Sequence, residues 1–129
     1  MQLTPYIIFN GNCEDALNFY AKVFGGEIKN LTRFEGSPVE SMAADKQKIM
    51  HSHFVAKGIL FMASDSGEGG PEAANSGMVH FSLDFDNADE EEKVFNALAE
   101  NGKISMPLQD TFWGAKFGMN LMVNCEKRK

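Results

Sequence analysis

Residues 3–29, LTPYIIFNGNCEDALNFYAKVFGGEIK, decide the fold, because the chain repeats their pattern at 79–105, VHFSLDFDNADEEEKVFNALAENGKIS, without a gap. Phe9 falls on Phe85, Glu14 on Glu90, Phe19 on Phe95, Gly26 on Gly102 and Ile28 on Ile104. Each copy reads as an apolar strand, a polar turn, an amphipathic helix, a glycine stop and another strand. Only two copies fit, so the chain is a duplicated module and not a solenoid.

Within the first copy, Pro5 to Phe9 is a short apolar strand. Asn12 is expected to cap the helix, with Asp15 completing a capping box. Cys13, Ala16, Leu17, Tyr20, Val23 and Phe24 recur at helical spacing. Gly25-Gly26 ends the helix, since glycine accepts the left-handed C-terminal conformation. Glu27 to Phe34 is the next strand, and polar residues 36–48 read as a loop. Ile49 to Val55 and Ile59 to Ala63 form a hairpin about Lys57-Gly58. The stretch 64–77, rich in Ser, Gly, Glu and Pro, reads as a loop joining the modules.

The second copy predicts a strand from Met78 to Phe85 and a helix capped by Asn87 and lined by Ala88, Val94, Phe95 and Leu98. Lys103 to Met106 is a strand, Pro107 breaks the chain, and Phe112 to Phe117 and Leu121 to Val123 follow as strands. The fold class is therefore α+β. Two tandem βαβββ modules form curved mixed sheets around a cavity, with the helices outside. Module one is 1–65, a hinge is 66–77 and module two is 78–129, all in one domain.

A chain of 129 residues has room for one such domain. A net charge of −6 argues against nucleic acid or an anionic membrane as partner. No apolar run approaches the ~20 residues of a membrane span and the first residues lack a signal pattern. A cytoplasmic location is expected, and with it a reducing environment in which Cys13 and Cys125 stay unpaired. Cys13 reads as a buried core residue. Glycines 67, 69 and 70 follow a strand, yet Pro71 and Glu68 make a phosphate loop a poor reading.

The strings Pro5 to Ala16, Phe19-Tyr20, Val23-Phe24-Gly25, Met50-His51 and Met62 to Asp65 are similar to the vicinal-oxygen-chelate superfamily. That superfamily includes glyoxalase I, bleomycin-resistance proteins and extradiol dioxygenases. Met106-Pro107-Leu108-Gln109-Asp110-Thr111-Phe112-Trp113-Gly114-Ala115-Lys116-Phe117-Gly118 resembles its PhnB-like branch, often labelled as related to 3-demethylubiquinone methyltransferases. A methyl-donor fold needs a larger sheet and a nucleotide loop, and this chain has neither. Such proteins usually carry a longer hairpin between the last two strands, where Phe117-Gly118 here runs almost directly into Met119-Asn120-Leu121. The resemblance implies one metal ligand on each of four strands. The matching places fall on Thr4 or Pro5, near Met62, on His80 and near Met122, so only His80 is a ligand type. A divalent metal is thus not favoured as cofactor.

Three histidines remain as candidates. His51 and His53 alternate with Ser52 and share one face of a strand. With His80 they could converge on a cavity, and His51 or His80 could serve as a general base or ligand contact. Gln109, Asp110, Phe112 and Trp113 combine an amide, a carboxylate and two aromatics at a strand start, and are expected to contact a ligand. By resemblance, the leading reading is a homodimeric small-molecule-binding protein of the glyoxalase/bleomycin-resistance type. The alternative is a metal-dependent lyase, isomerase or thiol transferase on a vicinal-oxygen substrate.

Overall fold

The computed structural model describes residues 1–43, 45–66, 79–100, 103–110 and 116–121. The chain divides into two compact units, Met1–Ala73 and Ala74–Lys129.

The first unit contains β1 (Tyr6–Phe9), α1 (Cys13–Phe24), β2 (Glu27–Arg33), β3 (Ile49–Ala56) and β4 (Ile59–Asp65), in the predicted βαβββ order. Its four strands form one mixed sheet in the order β1-β4-β3-β2. β1 runs parallel to β4, whereas β2–β3 and β3–β4 are antiparallel. A parallel partner needs a long crossover, and here the whole of α1, β2 and β3 lies between the two strands. Glu40–Met42 adds a single 3-10 turn inside the polar loop.

α1 forms because its apolar residues recur at i, i+3, i+4 and i+7. Cys13, Ala16, Leu17 and Tyr20 are its buried residues. Tyr20 meets Phe54 and Phe61 edge-on at 6.4 and 6.3 Å, and those two rings stack at 5.0 Å. Burial of each such side chain contributes about 1.5–3 kcal/mol, so this layer carries much of the unit's stability. Gly25 takes the left-handed conformation at φ +70° and ends the helix as expected. Gly26 has a separate reason for its identity. A Cβ there would stand 2.7 Å from the Val55 carbonyl oxygen and 2.8 Å from Cζ of Phe54.

The helix start differs from expectation. Asn12 makes no side-chain capping bond, and its φ of −117° and ψ of 26° are not those of an extended cap. The N–H of Cys13, the first helical residue, is held by Asp65 at the far end of β4. Its Oδ1 accepts the Cys13 N–H at 2.9 Å and its Oδ2 accepts the Ile49 N–H at 2.9 Å. A carboxylate fixed in the sheet replaces a flexible local cap. β4 accordingly runs two residues beyond the predicted Ala63, through Ser64 and Asp65.

The second unit contains α2 (Ala88–Glu100), β5 (Lys103–Asp110) and β6 (Lys116–Leu121). Here the predicted cap holds: Asn87 Oδ1 accepts the Asp89 and Glu90 N–H groups at 2.7 and 3.1 Å. Val94 and Leu98 are the buried residues of α2. At Gly118 a Cβ would lie 2.7 Å from Cε2 of Phe95 and 2.9 Å from Cα of Leu108, so the helix and both strands close on that glycine.

Three expectations for this unit are corrected. Residues 79–85 form no strand, and Val79, Phe81 and Leu83 are 74, 65 and 41% exposed. Alternation marks a face, but a strand also requires a ladder partner, and none pairs with this stretch among the described residues. Pro107 does not break the chain but lies inside β5, in the interval between Met106 and Gln109 where the register shifts. An irregular two-stranded ladder tolerates a residue with no N–H to donate. β6 is continuous from Lys116 to Leu121, where two separate strands were predicted. Predicted features at 67–78, 111–115 and 122–129, including most of the hinge, lie outside the described residues. No described helix is long and apolar enough to cross a membrane.

Candidate functional site

α1 covers the face of the four-stranded sheet that carries Ser52 and Phe54. Alternation sends His51 and His53 to the opposite face, which leaves Tyr6, Ile8 and Leu60 exposed by 45, 45 and 39%. Strand register lines this face up in rows. Tyr6 pairs with Met62, Met62 with His53, and His53 with Lys29, so one residue from each strand stands in line. Thr32 pairs with His51 on the next row, and its hydroxyl donates to the His51 carbonyl oxygen at 3.4 Å.

The polar side chains on this face are linked. The Tyr6 hydroxyl lies 3.1 Å from Nδ1 of His51, and the two ring centroids are 5.7 Å apart. His51 and His53 meet edge-to-face at 4.9 Å. Nδ2 of Asn30 lies 3.3 Å from Nδ1 of His53. Asn30 reaches that position because it is left-handed, at φ +53°, within the register shift between Lys29 and Thr32. Asparagine is among the few residues that accept this conformation readily. The expected pairing of His51 and His53 is thus observed, with Tyr6 and Asn30 as partners that the sequence reading missed. The signal for Tyr6 was its alternation with the buried Phe9 on β1. Nothing local marks Asn30.

A separate cleft of about 340 Å³ opens where α1 begins, lined by Gly11, Glu14, Arg33, Lys48, Asp65 and their neighbours. Its charges are largely committed to holding the loop 34–48. The Arg33 guanidinium forks onto Glu14 with bonds of 3.1 and 2.9 Å and donates to the Gln47 carbonyl oxygen at 2.7 Å. Lys48 Nζ donates to the Gly11 carbonyl oxygen at 2.8 Å. The hydrogen bonds from Arg33 hold the Glu14 carboxyl below its ordinary range, and the same fork raises Arg33. Cys13 lies beneath this region. Burial, followed by the nearby Asp65 charge, pushes its thiol up to about 12. Such a thiol is a core residue and not a nucleophile, as the sequence reading expected.

The remaining expected site residues are placed more loosely. His80 stands on the exposed stretch that precedes α2. Gln109 and Asp110 are exposed at the end of β5, paired with Phe117 and Lys116. Phe112 and Trp113 lie outside the described residues. Among the described residues no three His, Cys, Asp or Glu side chains are grouped to hold a metal ion. Of the places where the superfamily carries ligands, Pro5 and Met62 do not fit one either. Pro5 offers a carbonyl that already accepts the Met62 N–H at 2.9 Å, and Met62 offers only a thioether.

The family model for 3-demethylubiquinone-9 3-methyltransferase matches residues 1–126. The chain belongs to that PhnB-like family. Its membership places it in the vicinal-oxygen-chelate superfamily, with a glyoxalase-like fold. Protein YjdN of Escherichia coli K12 is 32% identical over 146 aligned positions, covering 100% of this chain and 98% of its own length. The alignment is longer than the 129 residues here, so that relative has residues with no counterpart in this chain. Among solved structures, protein PA1353 of Pseudomonas aeruginosa is 39% identical with a TM-score of 0.80, over 96% of this chain and 91% of its own. The PhnB protein of Bacillus cereus is 27% identical with a TM-score of 0.77, over 96 and 93%.

Proposed function

We propose that this PhnB-like chain is a small-molecule-binding protein of the glyoxalase/bleomycin-resistance type, without the complete metal site of its superfamily. The ligand lies on the sheet face opposite α1, against Tyr6, His51 and His53. One observation carries this reading. That face combines exposed apolar side chains with a polar run from Tyr6 to Asn30, hydrogen-bonded at both ends and joined by the edge-to-face contact of His51 and His53. Apolar walls with a few convergent polar groups are what small-molecule sites share. Gln109, Asp110, Phe112 and Trp113 keep their place as expected ligand contacts, and the homodimer belongs to the same proposal.

The test is a thermal-shift panel on chelator-treated protein, with small aromatic acids in one arm and Ni, Zn, Mn, Fe(II) and Mg in the other. A ligand at 100 times its Kd stabilises by about 2.7 kcal/mol. A shift with an organic ligand that disappears in His51→Ala and weakens in Tyr6→Phe supports the proposal. An organic-ligand shift that survives in His51→Ala refutes the placement. A shift with one metal alone, lost in the same variant, replaces the proposal with the metal-dependent lyase, isomerase or transferase.

A further inference from the structure

His51 and His53 each have Nδ1 within hydrogen-bond reach of a neighbouring side chain. Asn30 approaches His53 through Nδ2, an amide nitrogen that donates and does not accept. Nδ1 of His53 is therefore the bare nitrogen, and the single proton of the neutral ring sits on Nε2. The Tyr6 hydroxyl approaches Nδ1 of His51. A phenol hydroxyl both donates and accepts, and with the more acidic phenol O–H as donor, His51 also keeps its proton on Nε2. Both Nε2 atoms are at the distal end of their rings, and neither is bonded by a described residue. The rings are 4.9 Å apart, and Lys29 is the cross-strand neighbour of His53. On β2, Glu27 reaches Lys29 at 3.7 Å in a solvent-exposed contact.

We infer that Tyr6 and Asn30 hold His51 and His53 as Nε2–H tautomers, so that the pair donates two hydrogen bonds to one oxyanion, a carboxylate or a phosphate group, of the ligand. This rests on the open-face site proposed above and names its ligand class. The same tautomers count against a metal ion there. A metal-binding imidazole gives its other N–H to an acceptor, whereas Nδ1 of His53 faces the Asn30 amide nitrogen. Metal binding at Nε2 of His53 would move its proton to Nδ1, against the Asn30 amide hydrogens. Two charge-assisted donors are stronger than neutral ones and fix the orientation of the group they hold.

The experiment is long-range imidazole 1H–15N spectroscopy on the 15N-labelled full chain at pH 8. The expected result is Nε2–H for both. Sodium acetate and inorganic phosphate are then titrated separately, and the anion that moves both Nε2–H signals together identifies the source. Asn30→Asp exchanges a donor for an acceptor at a left-handed position that aspartate also tolerates. It should transfer the His53 proton to Nδ1 and weaken anion binding roughly ten- to a hundredfold. Tyr6→Phe should release the tautomer of His51 alone. Nδ1–H tautomers in the unmodified chain overturn the inference, as does an Asn30→Asp variant whose His53 tautomer does not change. If uncharged aromatic ligands move the open face and neither anion does, the site stands and the oxyanion inference falls. If nothing moves the open face, the site itself falls, while the tautomers are still read directly.

Discussion

Replacing Asp65 by alanine tests how the first unit is held together. Asp65 is 3% exposed, and its carboxylate accepts the Cys13 and Ile49 N–H groups, each at 2.9 Å. Alanine leaves both donors buried and unpaired, since Cys13 is 0% and Ile49 1% exposed. Each unsatisfied buried group costs about 1–3 kcal/mol, so the substitution should cost roughly 3–5 kcal/mol. For a cooperative unit of this size that lowers Tm by some 12–30 °C, at about 4–6 °C per kcal/mol. Asp65→Asn keeps one acceptor and turns an amide toward the other N–H, and should cost about 2–3 kcal/mol. Asn12→Ala is the control. A capping asparagine would lose about 1 kcal/mol, but Asn12 makes no such bond, so less than ~0.5 kcal/mol is expected. The assay is urea denaturation followed by far-UV circular dichroism, with equal m-values required across variants. An Asp65→Ala cost below ~1 kcal/mol, or an Asn12→Ala cost above it, would refute the assignment of the helix start to the far strand.

Other perturbations follow from the same geometry. Cys13 has its folded pKa raised from 9.0 to about 12, so its contribution is complete below pH 9 and is lost as pH rises toward 12. The stability gap between the natural chain and Cys13→Ala should therefore shrink by about 1.4 kcal/mol per pH unit above 9, read from denaturation at pH 8 and 10. Gly26→Ala should destabilise by about 1–3 kcal/mol, because its Cβ meets the Val55 carbonyl oxygen and Phe54; a neutral result would mean that β3 can yield. Glu14 has its folded pKa lowered by Arg33, so that pair stabilises above the ordinary glutamate range and is lost as pH falls through the lowered value. The pair is partly exposed, so Arg33→Ala should lower Tm only slightly at pH 7 and less in high salt. Asn87→Ala should lose about 1 kcal/mol of second-unit stability, measured by hydrogen exchange of the first turn of α2.

Much of the first unit was legible because its rules are local. The stripe from Cys13 to Tyr20, the glycine stop and the Lys57-Gly58 turn each depend on residues within one or two turns of one another. The duplication carried the same pattern to α2 and its asparagine cap. It overreached at 79–85, where the alternation of β1 recurs without a paired ladder among the described residues. His51 and His53 could be placed on one face from alternation alone, but which face could not, since a shift of one residue reverses it.

By itself, then, the sequence determined the α+β class and the order of the first five elements, because periodicity and glycine punctuation act over a few residues. Only the tertiary structure decided what those elements exchange. Asp65 reaches back 52 residues to start α1, Tyr6 meets His51 across 45 residues, and Asn30 meets His53 across 23. Such partners are chosen by strand register and sheet order. Those are set by which faces pack together, a property of the whole folded unit and not of any window of its sequence.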